Sequence, residues 1–159
     1  MPSIGSISNI GVVSGKLTES LSPAKLNELN REFRSAAGHG NKARVEELLK
    51  DPGVAVNSKG RGGDTALTLA ASFGHAEVLK LLLKIPNIDV SIKDYANNTP
   101  LIMAVGNGDI ETVKVLLSDP RIDINIKNGY ENTALILAIE NGHIEIVKYI
   151  CEQYDEFIN

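Results

Sequence analysis

The side chains that could do chemistry are three histidines, one cysteine, a glycine-rich turn and twenty acidic residues. His75 and His143 could act as metal ligands or general bases, because a neutral imidazole keeps one nitrogen free. They recur 68 positions apart, each directly after a glycine, and that repeated placement reads as structural. His39 has no second His or Cys at ligand spacing, so no zinc site is expected there. The Gly60-Arg61-Gly62-Gly63 run is similar to a phosphate cradle, but it lacks the Gly-Lys-Ser/Thr ending and a preceding buried strand, and it reads as a turn. Cys151, standing alone, excludes an internal disulfide and a cysteine-built metal site, and it fits a reducing, intracellular setting. Leu49, Leu83 and Leu117 occupy its column in the earlier units, so it is expected to be a small buried hydrophobe. Asn97-Asn98-Thr99 spells a glycosylation sequon; without a secretory signal it is expected to stay unmodified. No two carboxylates stand apart from the rest as an acid/base couple. The reading is of a chain with no catalytic constellation, no cofactor and no metal, and an enzyme is not expected.

These residues sit on a repeat. Thr65, Thr99 and Thr133 stand 34 apart, and Gly40, Gly74, Gly108 and Gly142 keep the same step. Further columns hold Leu67, Leu101 and Leu135; Ala70, Ala104 and Ala138; Leu79, Val113 and Val147; Leu82, Leu116 and Ile150; and Lys59, Lys93 and Lys127. A fixed period of this size marks a stacked solenoid. In each unit the threonine stands where a helix N-cap belongs, with Pro100 behind it at the first helical position. Leu101, Ala104 and Val105 then fall on one side at helical spacing, and Gly108 ends the helix where a positive φ is required. A second helix follows from about Ile110. Two helices this short cannot bury their apolar faces alone, so the units must stack.

Over residues 60–159 the units resemble ankyrin repeats, whose signature runs Thr-Pro-Leu-His-x-Ala and then Gly-His. Thr99-Pro100-Leu101 and Ala104 match the first part, and Gly74-His75 and Gly142-His143 match the second. Thr68, Ile102 and Ile136 stand in place of the usual His, which exchanges a polar link for apolar packing. Ala66 and Ala134 stand in place of Pro. The period is one residue longer than the family's usual 33, and the extra residue falls in the loop after the second helix, as in Pro86-Asn87-Ile88 or Pro120-Arg121-Ile122. The resemblance implies an all-α solenoid of stacked helix-turn-helix units with projecting β-hairpin fingers at GRGGD, DYANN and NGYEN. Gly63 occupies the finger column that needs positive φ, Asn97 tolerates it, and Glu131 suits it poorly, so the last finger is expected to be distorted.

Composition agrees with one globular domain: 43% of the 159 residues are hydrophobic and 23% charged. The net charge is −4. Residues 1–59 hold eight Lys/Arg against six Asp/Glu, and residues 60–159 hold eight against fourteen, so the repeat body is acidic and nucleic acid is not an expected partner. No stretch approaches the ~20 apolar residues that span a membrane, and no basic residue precedes Lys16 as a signal peptide would require. Residues 1–21 are expected to form a flexible arm, with a docking segment built on Ile4, Ile7, Ile10, Val12 and Val13 as the alternative. The repeat domain then runs over residues 22–159, with units at about 22–59, 60–93, 94–127 and 128–159. Ser22-Pro23 caps a long first helix with Leu26, Leu29, Phe33, Ala36 and Ala37 as its apolar stripe. Arg31, Glu32 and Arg34 make its other side polar, as the outermost unit requires. At the far end, Phe157 and Ile158 are apolar enough to begin further packing in a longer protein.

Columns that repeat hold the stack, whereas exposed columns that vary are free to differ. The varying ones are Arg61, Asp64, Ser72 and Phe73; then Tyr95, Asn98 and Asn107; then Tyr130, Asn132, Glu140 and Asn141. The resemblance places them on a concave face of fingers and first helices and implies a non-catalytic module that binds a protein partner there. In the alternative to partner contact, Tyr95 and Tyr130 cover finger stems and Phe73 packs at the helix end. The alternative function is a targeting domain of a larger enzyme whose catalytic part this chain does not contain. The Asp-Pro-x-x-Asp loops and the Ile/Asn-rich composition are similar to ankyrin proteins of protists and intracellular bacteria, which suggests an effector acting in host cytosol. Nothing in the sequence demands a dimer, and a monomer is expected.

Overall fold

A threonine hydroxyl starts each inner helix. Oγ1 of Thr65 accepts from the Thr68 amide at 3.2 Å, that of Thr99 from Ile102 at 3.3 Å and that of Thr133 from Ile136 at 3.3 Å, satisfying donors that a helix start leaves unpaired. The structure, a computed structural model, describes residues 10–13, 16–19 and 21–158. Among these residues lie eight helices: α1 (Pro23–Gly38), α2 (Lys42–Leu48), α3 (Ala66–Ser72), α4 (Ala76–Leu83), α5 (Pro100–Asn107), α6 (Ile110–Leu117), α7 (Ala134–Glu140) and α8 (Ile144–Ile158). Ser22 caps α1 with Pro23 inside its first turn, and Pro100 has that place in α5. The odd-numbered helices stack in one row and the even-numbered in a second, so four helix pairs form the all-α repeat solenoid that the sequence predicts.

The repeating columns explain why the rows close. Ala70, Ala104 and Ala138 are fully buried and let inner helices approach, while Leu79, Leu82, Val113, Leu116 and Ile150 fill the space between rows. Each large aliphatic side chain buried in this way stabilises the fold by roughly 1.5–3 kcal/mol. Gly108 ends α5 at φ 73°, and a Cβ there would lie 2.7 Å from the ring of His143 in the next unit, so both backbone and space require glycine. The two Gly-His histidines link neighbouring units. Nε2 of His75 donates to the Gly38 carbonyl at 2.9 Å, and that of His143 to the Gly106 carbonyl at 3.4 Å.

Several expectations are corrected by the structure. Each finger is a hydrogen-bonded turn with no strand, closed by two backbone bonds: Gly60 N to Asp64 O at 2.7 Å and Gly63 N to Gly60 O at 3.2 Å, Asp94 N to Asn98 O at 3.1 Å and Asn97 N to Asp94 O at 3.0 Å, and Asn128 N to Asn132 O at 3.0 Å and Glu131 N to Asn128 O at 3.1 Å. The last finger is not distorted. Glu131 takes φ 64°, alongside 61° for Asn97 and 78° for Gly63, and Asn128 Oδ1 holds the turn by accepting from the amides of Tyr130 (2.9 Å) and Asn132 (3.1 Å). Thr68 does not simply replace a polar link with apolar packing, since its hydroxyl completes a reciprocal capping box by accepting from Thr65 N at 2.7 Å. Cys151 is exposed rather than buried, and its column is only half-buried in the earlier units, at Leu49, Leu83 and Leu117. Residues 10–19, within the expected arm, contain two antiparallel strands, β1 (Ile10–Val13) and β2 (Lys16–Glu19), in the register Ile10 to Glu19 and Val13 to Lys16. Ile4 and Ile7 of the docking segment lie outside the described residues, as do the side-chain surroundings of Ile10, Val12, Val13, Phe157 and Ile158.

The two ends of the stack differ. At the first unit, Glu32, Arg44 and Glu47 stand in the columns of Ala66, Val78 and Leu81 and form an ion triad, with Arg44 to Glu32 at 2.5 Å and to Glu47 at 2.7 Å. At the last unit the columns stay apolar but uncovered: Ile102 is 2% exposed and Ile136 40%, while Val105 is 0% and Ile139 59%.

Between the second and third units, Arg121 reaches back to the Leu83 carbonyl at 2.7 Å while its guanidinium clamps Asp119 through bonds of 3.0 and 2.7 Å. That side-chain pairing holds the Asp119 carboxyl below the usual carboxylate range, against a smaller opposing effect of desolvation. A depressed folded-state pKa contributes stability above the unfolded value, near 4, which is lost as pH falls through the folded one. Asp119→Asn should therefore melt below the wild type at neutral pH, with the gap closing in acid. Paired thermal melts from pH 7 to 2 check this, and a gap that widens in acid would contradict it.

Candidate functional site

Fingers and first helices share one face, and side-chain contacts tie them together. Asn132 of the last finger donates to Glu140 at the end of α7 at 3.2 Å, and Arg34 of α1 lies 3.8 Å from Asp64 of the first finger. The fingers also bond to one another: Gly129 N donates to Ala96 O at 3.0 Å, and Asn128 Nδ2 donates to Asn98 Oδ1 at 3.2 Å. Lys59 Nζ reaches the Lys93 carbonyl at 3.1 Å. The turns thus present side chains from a tethered row.

The residues singled out from sequence divide into two groups on this face. Phe73, Tyr95 and Tyr130 are exposed at 62%, 73% and 79%, and Arg61, Asn107, Glu140 and Asn141 are exposed with them. Asn98 and Asp64, both half-buried, bond within their own fingers, while the Asn132 side chain reaches out to the exposed Glu140. Asn98 pairs with Asp94 through 2.8 and 3.2 Å bonds, Asp64 Oδ1 accepts from Gly62 N at 3.3 Å, and the Asn132 amide donates to Asn128 Oδ1. Ser72 is half-buried at the end of α3. Tyr95 rests one edge on the first finger, where a Cβ on Gly63 would lie 2.9 Å from its ring, yet most of the ring faces water. Phe73 stands beside His75 with ring centroids 6.4 Å apart and also remains mostly open. Large apolar surface held in water on one face is a feature of binding sites.

Sequence reasoning missed a cleft on this face. Between α1 and the first finger lies an opening of about 950 Å³ lined by Asn27, Arg31, Arg34, Lys59, Arg61 and Asp64 among others. Arg34 sits on the polar side of α1 by its spacing, yet its side chain is only 14% exposed and donates to Ser58 Oγ at 2.9 Å inside the cleft. The excess of Lys/Arg in residues 1–59 was the available signal. Among the described residues no helix is long and apolar enough to cross a membrane, and no three of His, Cys, Asp and Glu converge as metal ligands.

A family model described as Ankyrin repeats (3 copies) matches residues 33–128 and 95–159 of the chain. No curated protein matches it.

Proposed function

Since the chain belongs to the ankyrin repeat family, whose repeats are generally protein–protein interaction modules, we propose that it is a non-catalytic binding module holding a protein partner on the concave face of its fingers and first helices. The observation that carries this reading is the exposure of Phe73, Tyr95 and Tyr130 on one tethered face. Aromatic side chains supply large contact area at low entropic cost, and they anchor interfaces when a polar rim excludes water around them. Arg61, Glu140, Asn107 and Asn141 are exposed where that rim is needed. The module acts as a monomer, and Cys151, an exposed free thiol, favours a reducing, intracellular setting. Within that setting, action as a bacterial effector in host cytosol rests on loop composition and is checked by where a tagged chain accumulates after infection.

Hydrogen exchange on the complex tests the face. With a partner captured by affinity and identified by mass, protection should rise over residues 60–64, 94–98 and 128–132 and at the ends of α3, α5 and α7. Protection confined to the outer helices α4 and α6 would place the partner elsewhere.

A further inference from the structure

We infer that the cleft between α1 and the first finger is the subsite for an acidic peptide segment of the protein partner, an assignment that rests on the concave-face reading. Four cationic side chains, Arg31, Arg34, Lys59 and Arg61, line the opening against one carboxylate, Asp64, in a chain whose net charge is −4. Two of the four are held in place before any ligand arrives. Arg34 is fixed by Ser58 Oγ at 2.9 Å and by Asp64 at 3.8 Å, and Lys59 by the Lys93 carbonyl at 3.1 Å. Ordered cations lose little side-chain entropy on binding, and a planar guanidinium matches a carboxylate through two parallel bonds. Arg31 and Arg61 are exposed and, among the described residues, have no ion-pair partner, so they are available to such carboxylates.

The cleft is continuous with the aromatic surface. Leu69 lines it, and a Cβ on Gly38 would touch both Leu69 (3.5 Å) and Phe73 (3.9 Å), which makes those side chains neighbours. A peptide with carboxylates in the cleft therefore continues over Phe73. A nucleic acid backbone fits less well, because a polyanion extended along the face meets Asp94, Glu131 and Glu140 on the later units.

The test is fluorescence anisotropy of the full chain with a labelled peptide carrying a run of glutamates, a counterpart with glutamines in those positions, and a single-stranded RNA of equal length. The glutamate peptide should bind, more weakly as salt rises. Arg31→Glu with Arg61→Glu should weaken it at least ~10-fold through like-charge repulsion, whereas Lys80→Glu with Lys84→Glu, the same charge change on the outer helix, should shift it less than ~2-fold. Circular dichroism confirms folding, and Arg31→Gln with Arg61→Gln repeats the test with a smaller charge change. Equal binding of the glutamine peptide, equal loss in the outer-helix variant, or tighter binding of the RNA would overturn the assignment. The two readings come apart cleanly. A protein partner lost on removing the aromatics, with no glutamate-peptide binding, overturns the cleft alone; an arginine-dependent glutamate peptide beside a partner indifferent to the aromatics overturns only the aromatic anchor.

Discussion

Phe33→Ala is expected to cost roughly 3–5 kcal/mol of folding stability, the range for emptying a fully buried phenylalanine site. Phe33 is 0% exposed and occupies in α1 the column that Leu67 and Leu101 fill in α3 and α5. Its loss opens a cavity under the first unit, whose Ala36 and Ala37 have no side-chain length with which to refill it. Domains of this size are stable by about 5–15 kcal/mol, so the loss is a large fraction of the total. Urea titration should show the midpoint falling with an unchanged slope. Ile139→Ala, at the uncovered end of the stack, should change stability by no more than about 0.5 kcal/mol, as exposed substitutions do. Equal losses at the two positions would contradict the reading that the first unit is sealed and the last is open.

That contrast also shows which features could be read from the sequence. The threonine caps, Pro100 and the αL glycine at Gly108 were legible because each is decided by a few neighbouring residues. The helix pairs and their two rows followed from the period, since every column repeats the same packing problem. Column reasoning failed at the end of the stack. It gave Cys151 full burial, although Leu49, Leu83 and Leu117 in the same column are only half-buried and Cys151 is exposed. Glu131 misled for the opposite reason, because its own propensity opposes φ 64° while the Asn128 side chain fixes the turn around it. The basic cleft was hidden because a polar residue on a helix does not announce its direction, and Arg34 turns to Ser58 and Asp64 from 24 and 30 positions away. The paired strands Ile10–Val13 and Lys16–Glu19 have four residues each, too short for an alternating pattern to register.

The aromatic face carries the second large effect. Phe73, Tyr95 and Tyr130 come from different units, and the exposure of each shows that the stack does not need its ring for packing. Removing them should therefore spare the fold, with a small loss where Tyr95 rests on Gly63. In a complex the same rings would be desolvated together, and truncating a hot-spot aromatic costs about 2 kcal/mol or more, without additivity. Arg61 and Glu140 at the rim should matter less to affinity and more to its salt dependence.

The most direct measurement of the central claim is calorimetric titration of the captured protein partner into the wild type and into the combined Phe73→Ala, Tyr95→Ala and Tyr130→Ala variant, with a thermal melt of each. The concave-face reading predicts nearly unchanged melting and binding weakened by at least ~2 kcal/mol, about thirtyfold. Unchanged affinity in a folded variant would contradict it, and a collapsed melt would show instead that the three rings belong to the stack.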